Sequence, residues 1–218
     1  MSSAEVGTLV LVLPVLLLSV VIHEWAHARV AVAQGDPTPA RAGRVTLNPL
    51  PHLSLMGSLV VPVALWLMPG AFIFGWAEPV PVNPENFRDR ERGDVLVSLA
   101  GVTANFALAA VMVGLWVAAS WTAGGTRLGD GLQRMAGFGI LFNLILGVFN
   151  LLPVPPLDGS HVVRRLLPRR AAEAYDRLGR YSPLLLLAVF LFPELLDVVF
   201  GPVLAMHGWA MDLARSLA

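Results

Sequence analysis

The stretch VVIHEWAHARV, residues 20–30, places two histidines and a glutamate at the end of a long apolar run. Residues 6–22 contain no charged side chain, and a kink at Pro14 is tolerable inside a membrane helix. About 20 apolar residues suffice to cross the hydrocarbon core of a bilayer. Ionisable groups are costly at that depth and usually mark function. The run therefore predicts a membrane helix over 6–31 that carries a polar site.

The composition of the whole chain supports a membrane protein. Of its 218 residues, 56% are hydrophobic and 14% are charged, with a mean hydropathy of +0.69, whereas about 25% of residues are charged in soluble domains. Fifteen arginines balance fifteen acidic residues and there is no lysine, so nucleic acid is not an expected partner. The absence of cysteine excludes a disulfide framework and a thiolate zinc site.

Other apolar segments extend the membrane domain. The further predicted spans are 95–121, 135–152 and 183–206, the last with Pro193 inside it. Residues 55–75 are apolar but broken by Pro62 and by the Pro69-Gly70 pair, which favours a hairpin that enters the membrane and returns. Two connections contain β-like pieces, at 43–49 and 77–84, which their prolines would confine to sheet edges. The predicted fold is an all-α polytopic membrane protein with about four to five transmembrane helices, a re-entrant hairpin and short β-strand elements.

Residues 23–27, HEWAH, have the spacing of a metal site. His23 and His27 lie four residues apart, so one helix face can present both rings to a single ion, with Glu24 beside them. Neutral imidazoles hold Zn²⁺ without cancelling its Lewis acidity, and a carboxylate can take a proton from a zinc-bound water. A catalytic zinc needs three protein ligands, so two histidines are incomplete. Asp158, in FNLLPVPPLDGSH (149–161), is the strongest candidate for the third, because it follows an apolar helix on an Asp-Gly bend.

The chain resembles the site-2 protease family of intramembrane zinc metalloproteases, in its compact bacterial and archaeal form. The resemblance covers roughly 15–170 and rests on four segments: HEWAH (23–27), GWAEPVPVNPENFR (75–88), GVTAN (101–105) and NLLPVPPLDG (150–159). It implies one zinc ion per chain, bound by His23, His27 and Asp158, with Glu24 as general base for peptide hydrolysis inside the bilayer. It also implies that Asn105 and Asn150 line the site and hold the substrate or the oxyanion.

Further expectations follow for partners, domains and location. The resemblance implies a transmembrane protein as substrate and a bacterial or archaeal cell membrane as the location. Many members of the family carry a PDZ or CBS domain, and neither is expected here, so 1–218 is predicted to be a single domain. His52 and His161 are candidates for supporting the site from behind its ligands, although a loop histidine such as His52 is more often simply solvated. The sequence does not determine the oligomeric state.

A second class of function uses the same ligands. A membrane metal-ion transporter or metal-binding protein could coordinate a passing cation with the two histidines and Asp158. Glu24 discriminates between the two classes, because a transporter needs no base beside its ligands. Transporters also usually show paired repeats, which are not visible here. An inactive relative acting as a scaffold is disfavoured because all four chemical residues are present.

The predicted topology follows from the positions of the ligands. His27 lies near the C-terminal end of the first helix and Asp158 just past the end of the helix at 135–152, so both ends must face the same side. This parity requires 55–75 to dip in and return. Eleven arginines then share the side of the ligands: Arg41, Arg44, Arg88, Arg90, Arg92, Arg164, Arg165, Arg169, Arg170, Arg177 and Arg180. The positive-inside rule predicts that this side is cytoplasmic.

Overall fold

A computed structural model of the chain describes residues 3–61, 64 and 77–218. The structure is helical in these ranges, and no strand occurs in them. The helices are α1 (Ser3–Gln34), α2 (Thr38–Arg41), α3 (Arg90–Ala123), α4 (Arg127–Asn150), α5 (Asp158–Leu166), α6 (Arg169–Leu178), α7 (Ser182–Leu191) and α8 (Pro193–Leu217). Short 3₁₀ turns lie at Leu50–His52, Pro84–Asn86 and Gly179–Tyr181, and a π-helical turn at Leu55–Val60.

Three of the described helices are long and apolar enough to cross a membrane. They are Leu11–Gln34 in α1, Arg90–Ala123 (α3) and Arg127–Asn150 (α4). The N-terminus of α3 is capped by Asp89, whose carboxylate accepts from the N–H groups of Glu91 and Arg92. Thr126 caps α4 in the same way, and Gly125 with φ +74° makes the short turn between the two helices.

Helices α3 and α4 form an antiparallel hairpin against which α1 packs. Glycines allow the close approach, since a Cβ at Gly139 would meet Met112 and one at Gly147 would meet Phe106. The apolar core between these helices and α8 is centred on Leu108, Met112, Ile140, Leu144 and Val203.

The C-terminal end of α1, the N-terminal end of α3 and the C-terminal end of α4 come together at one end of the hairpin. The backbone N–H of Arg88 donates to the carbonyl of Gln34, and the side chain of His27 reaches the carbonyl of Val97. The helix ends that carry the predicted ligands therefore lie on the same side, as the predicted topology requires.

The two predicted β-like pieces are not strands in the structure. Residues 77–83 are extended, but Pro79 and Pro81 have no N–H, and the N–H groups of Glu78 and Val80 donate to the carbonyl of His52 and to the carboxylate of Glu24. In 43–49 the backbone forms local hydrogen bonds to side chains in place of strand pairing; for example, Thr46 Oγ1 accepts from the N–H of Asn48.

The predicted fourth span at 183–206 is divided into α7 and α8. Pro193 lacks an N–H and disfavours helix at Phe192, whose backbone is extended with φ −110° and ψ 112°. Neither helix is among the three candidate spans of the described residues. Of the hairpin predicted over 55–75, residues 62–63 and 65–75 lie outside the described residues.

Candidate metal centre

The centre begins with two buried histidines on α1. His23 and His27 are 7% and 8% exposed, and their Nε2 atoms lie 3.0 Å apart. The spacing of four residues places both rings on one face of the helix, the face turned toward α3. The two rings therefore present adjacent nitrogen atoms to one point.

Asp158 brings a carboxylate to the same point from the first residue of α5. Its Oδ2 lies 3.4 Å from Nε2 of His23 and 3.3 Å from Nε2 of His27. The Asp-Gly pair opens a helix here instead of forming the expected bend. A Cβ at Gly159 would meet the carbonyls of Leu151 and Leu152, so glycine is what allows α5 to start against the end of α4.

The other nitrogen of each ring is held by α3. Nδ1 of His23 lies 2.6 Å from Oδ1 of Asn105, and Nδ1 of His27 lies 2.7 Å from the carbonyl oxygen of Val97. Both partners are acceptors, so each Nδ1 carries the proton and each neutral ring turns a lone pair at Nε2 toward Asp158.

Three lone-pair-bearing atoms thus converge without a donor between them. Within the described residues, Asp158 Oδ2 is buried and has no hydrogen-bond donor, and these three side chains are the one group that could hold a metal ion. Four ligands of a tetrahedral zinc lie about 3.3 Å from one another, which the separations of 3.0–3.4 Å approach. The donor set fits zinc.

Asn105 lies behind His23, inside the bundle. It is fully buried, and its amide donates to the carbonyl of Ser19 and to Oδ1 of Asn143 while its oxygen accepts from His23. Every hydrogen-bonding atom of the side chain is used, so it has no free donor for a substrate or an oxyanion. Asn105 orients His23.

The network behind Asn105 joins all three spanning helices. Asn143 on α4 donates to Oγ of Ser19 on α1 at 2.9 Å, and Ser19 donates to the carbonyl of Val15. Ser19 and Asn143 are both 0% exposed, so the network is sealed inside the bundle. It fixes α1, α3 and α4 relative to one another at the depth of His23.

Glu24 faces the extended segment. Its Oε2 accepts a hydrogen bond of 3.0 Å from the backbone N–H of Val80. The end of this segment and the residues that follow it are held by Asp36, which is fully buried. Its carboxylate accepts from the N–H of Asn83 at 2.7 Å and from Nδ2 of Asn86 at 2.8 Å. Hydrogen bonds to Glu24 and Asp36 therefore fix the position of residues 77–83 beside Glu24.

The other predicted residues have the following partners in the structure. Asn150 donates back to the carbonyl of Leu146 in its own helix. His52 is 1% exposed and therefore not a solvated loop residue; its Nε2 lies 3.0 Å from the carbonyl oxygen of Thr46.

His161 lies 3.5 Å from the carboxylate of Asp94, which raises the pKa of its imidazole more than burial lowers it. The contact found for His161 is thus with Asp94 and not with Asp158.

Sequence reasoning did not find Ser19, Val97, Asp94 or Arg165. Val97 contributes a backbone carbonyl, which no side-chain pattern can reveal. Asp94 did leave a signal, because it stands at the spacing 94, 97, 101, 105 that puts it on the same face of α3 as Asn105.

Comparison with known proteins extends beyond the motifs. The family model of Peptidase family M50 matches residues 122–191. The chain is 36% identical over 182 residues to "Putative zinc metalloprotease YwhC" of Bacillus subtilis (strain 168), which covers 82% of this chain and 78% of that protein. It is 32% identical over 215 residues to "Putative zinc metalloprotease Rip2" of Mycobacterium tuberculosis (strain H37Rv), which covers 97% of this chain and 76% of that protein. No solved structure gives a significant match.

Proposed function

Because the chain belongs to peptidase family M50, the site-2 protease family of zinc metalloproteases, we propose that it is an intramembrane zinc metalloendopeptidase. Its substrates are membrane proteins, cut at peptide bonds in or near their transmembrane segments. The observation that carries the proposal is the convergence of two neutral imidazole nitrogens and a carboxylate oxygen at 3.0–3.4 Å with no donor between them among the described residues.

His23, His27 and Asp158 would hold one zinc ion per chain. Zinc in such a site supplies Lewis acidity for the polarisation of a peptide carbonyl. Asn105 and the carbonyl of Val97 keep both rings in the tautomer that leaves Nε2 free for it. The rigid support from α3 means that little reorganisation is needed when the ion is bound.

Glu24 would move the protons of the reaction. It follows a ligand directly in sequence, so its carboxylate lies beside the centre, and it accepts the proton of the attacking water and returns it to the leaving amine. The N–H of Val80, 3.0 Å from Oε2, aims the carboxylate while leaving Oε1 for the proton.

The extended segment 77–83 offers a place for an extended substrate. A helical substrate shields its peptide bonds with its own hydrogen bonds, so it must unwind before a carbonyl can reach the centre. An unwound strand needs backbone partners, and the segment beside Glu24 is already extended. We propose that substrate lies alongside it.

The site opens toward the cytoplasm in this proposal. The ends of α1, α3 and α4 that meet at the ligands are followed or preceded by the connections that hold eleven of the fifteen arginines. The positive-inside rule assigns such connections to the cytoplasmic side.

Replacing Glu24 by Gln tests the proposal against a metal-transport function. The Glu24→Gln variant should keep zinc near one ion per chain and lose cleavage of a transmembrane reporter in proteoliposomes by at least about 100-fold, the usual share of an acid-base residue. Glu91→Gln, an exposed change in the first turn of α3, is the matched control and should retain cleavage. Full proteolysis by Glu24→Gln would remove Glu24 from the mechanism. A wild-type protein that moves zinc across the membrane and cuts nothing would establish the transporter.

A further inference from the structure

Asp94, an acidic residue on α3, lies near the centre without being one of its three ligand candidates. Asp94 is 7% exposed, and each of its carboxylate oxygens has a partner on α5. Nε of Arg165 lies 2.8 Å from Oδ2, and Nδ1 of His161 lies 3.5 Å from Oδ1. Burying a carboxylate costs free energy unless opposite charges or hydrogen bonds compensate it. Both oxygens of Asp94 have such a partner, and both partners lie on α5.

The partners of Asp94 share a helix face with a metal ligand. Asp158, His161 and Arg165 stand at positions i, i+3 and i+7 of α5, so all three point to α3. Helix α5 has only nine residues and packs mainly on α3. Its rotation and its height along α3 are therefore set largely by the bonds to Asp94.

The facing side of α3 supports the two other ligands as well. Its residues 94, 97, 101 and 105 form one stripe, in which Val97 holds His27 and Asn105 holds His23. Gly101 lets both rings lie directly on the helix, since a Cβ there would be 2.6 Å from Cε1 of His23. One stripe of α3 thus contacts both ligand-bearing helices, α1 and α5, and Asp94 makes the contact with α5.

We propose that Asp94 is a positioning residue for the metal centre, which through Arg165 and His161 holds α5 so that Asp158 meets the two histidines. The inference rests on the proposed function, since it assigns Asp94 a role in the same zinc site. Loss of the ion pair frees α5 to shift against α3, and a carboxylate displaced by an ångström no longer completes the ligand set.

The chain provides a matched control on the same helix. Arg164, next to Arg165, forms a bidentate pair with Asp176 at 2.7 and 2.8 Å, but this pair is exposed and ties α5 to α6 instead of α3. Asp94→Asn and Asp176→Asn are the same chemical change, each made at the partner of one of two adjacent arginines of α5. A general effect of losing an ion pair would appear in both variants.

The test measures metal binding by the purified full chain. Competition with a chelator should show zinc binding weakened about tenfold or more in Asp94→Asn and changed less than twofold in Asp176→Asn. The absorption spectrum of bound Co²⁺ should change in Asp94→Asn alone, a response that a merely structural role would not produce. Wild-type zinc affinity and an unaltered Co²⁺ spectrum in Asp94→Asn would overturn the proposal.

Variants of Arg165 keep the test decisive if Asp94→Asn does not fold. Arg165→Gln should weaken zinc binding and Arg165→Lys, which keeps the charge, should restore part of it; equal affinities in all three proteins would refute the role of Asp94. A wild-type protein that binds zinc without cutting a membrane substrate contradicts the proposed function alone. A wild-type protein that cuts, together with an Asp94→Asn variant of normal zinc affinity, contradicts this inference alone.

Discussion

Gly101 shows at the scale of one residue why the centre can form. The rings of His23 and His27 lie against the backbone of α3 at this position, and a side chain there would overlap Nε2 of His27 and come within 2.6 Å of Cε1 of His23. Both rings are held at Nδ1, so neither can move away without losing its partner. The glycine is therefore a requirement of the metal site more than of the helix.

Gly101→Ala should therefore lower the affinity for zinc by about tenfold or more, because displaced rings lose the orientation that their Nδ1 partners impose. Gly114 on the same helix has nothing within 4 Å of the position of its Cβ, and Gly114→Ala should leave zinc affinity unchanged while gaining about 0.5–1 kcal/mol of helix stability. Chelator competition and thermal unfolding on both variants provide the comparison. Equal zinc affinity in the two variants would show that the rings do not depend on contact with α3.

The sequence could identify the residues whose side-chain type and spacing are those of metal ligands. HEWAH and the Asp-Gly pair predict His23, His27 and Asp158 as one group, and the structure brings them together. The hydrogen-bond partners of Asn105 could not be predicted, because the sequence does not show that Ser19 and Asn143 occupy its amide. Residue type suggests a hydrogen-bonding function, whereas the partner is decided by how the three helices pack.

At the scale of elements, Asp36 fastens the extended segment to the end of α1. Its buried carboxylate accepts from Thr38, Asn83 and Asn86. Burial raises the pKa of Asp36, but these hydrogen bonds lower it further than burial raises it. A carboxyl with a lowered folded-state pKa stabilises the fold above its unfolded value of about 3.9 and loses that contribution as the pH falls through the folded value.

The Asp36→Asn variant should thus be less stable than wild type at pH 6, by about 1–3 kcal/mol, because an amide NH₂ would face donors that the carboxylate satisfied. The difference should shrink as the pH is lowered from 5 to 3, where wild type loses its own advantage. Thermal unfolding in detergent across this range measures both proteins. A gap that is constant with pH would show that the charge of Asp36 does not stabilise the attachment.

Segment 77–83 also sets an expectation for substrates. If an unwound strand is what lies beside Glu24, helix-breaking residues in the membrane segment of a test substrate should accelerate its cleavage. A pair of substrates that differ only by Gly-Pro against Leu-Leu near the scissile bond gives the comparison in one assay. Equal rates for the two would argue that unwinding is not part of the route to the site.

The elements were predictable where hydrophobic length decided them. The spans at 6–31, 95–121 and 135–152 correspond to α1, α3 and α4. Helices α3 and α4 begin several residues earlier than predicted because Asp89 and Thr126 cap them outside the apolar core. The β-like pieces failed because alternation cannot reveal that no partner strand is beside them in the described residues. The predicted last span is divided because Pro193 separates two helices, a break that its apolar length concealed in the prediction.

On the scale of the whole molecule, the orientation in the membrane follows from the side on which the ligands meet. A cytoplasmic site requires residue 85 inside and residue 126, in the turn between α3 and α4, outside. Single cysteines at these positions in the cysteine-free chain should be labelled by an impermeant reagent from opposite sides of the membrane. Labelling of both from one side would exclude the arrangement, and labelling with the sides exchanged would place the centre toward the exterior.

The metal centre itself is open to direct observation. X-ray absorption at the zinc edge of the purified protein should show one zinc per chain with two imidazole nitrogens and oxygen ligands at about 2.0–2.2 Å, and one imidazole contribution fewer in the His27→Ala variant. The same spectrum in His27→Ala and in wild type, or a zinc shell without imidazole in wild type, would contradict a centre built from His23, His27 and Asp158.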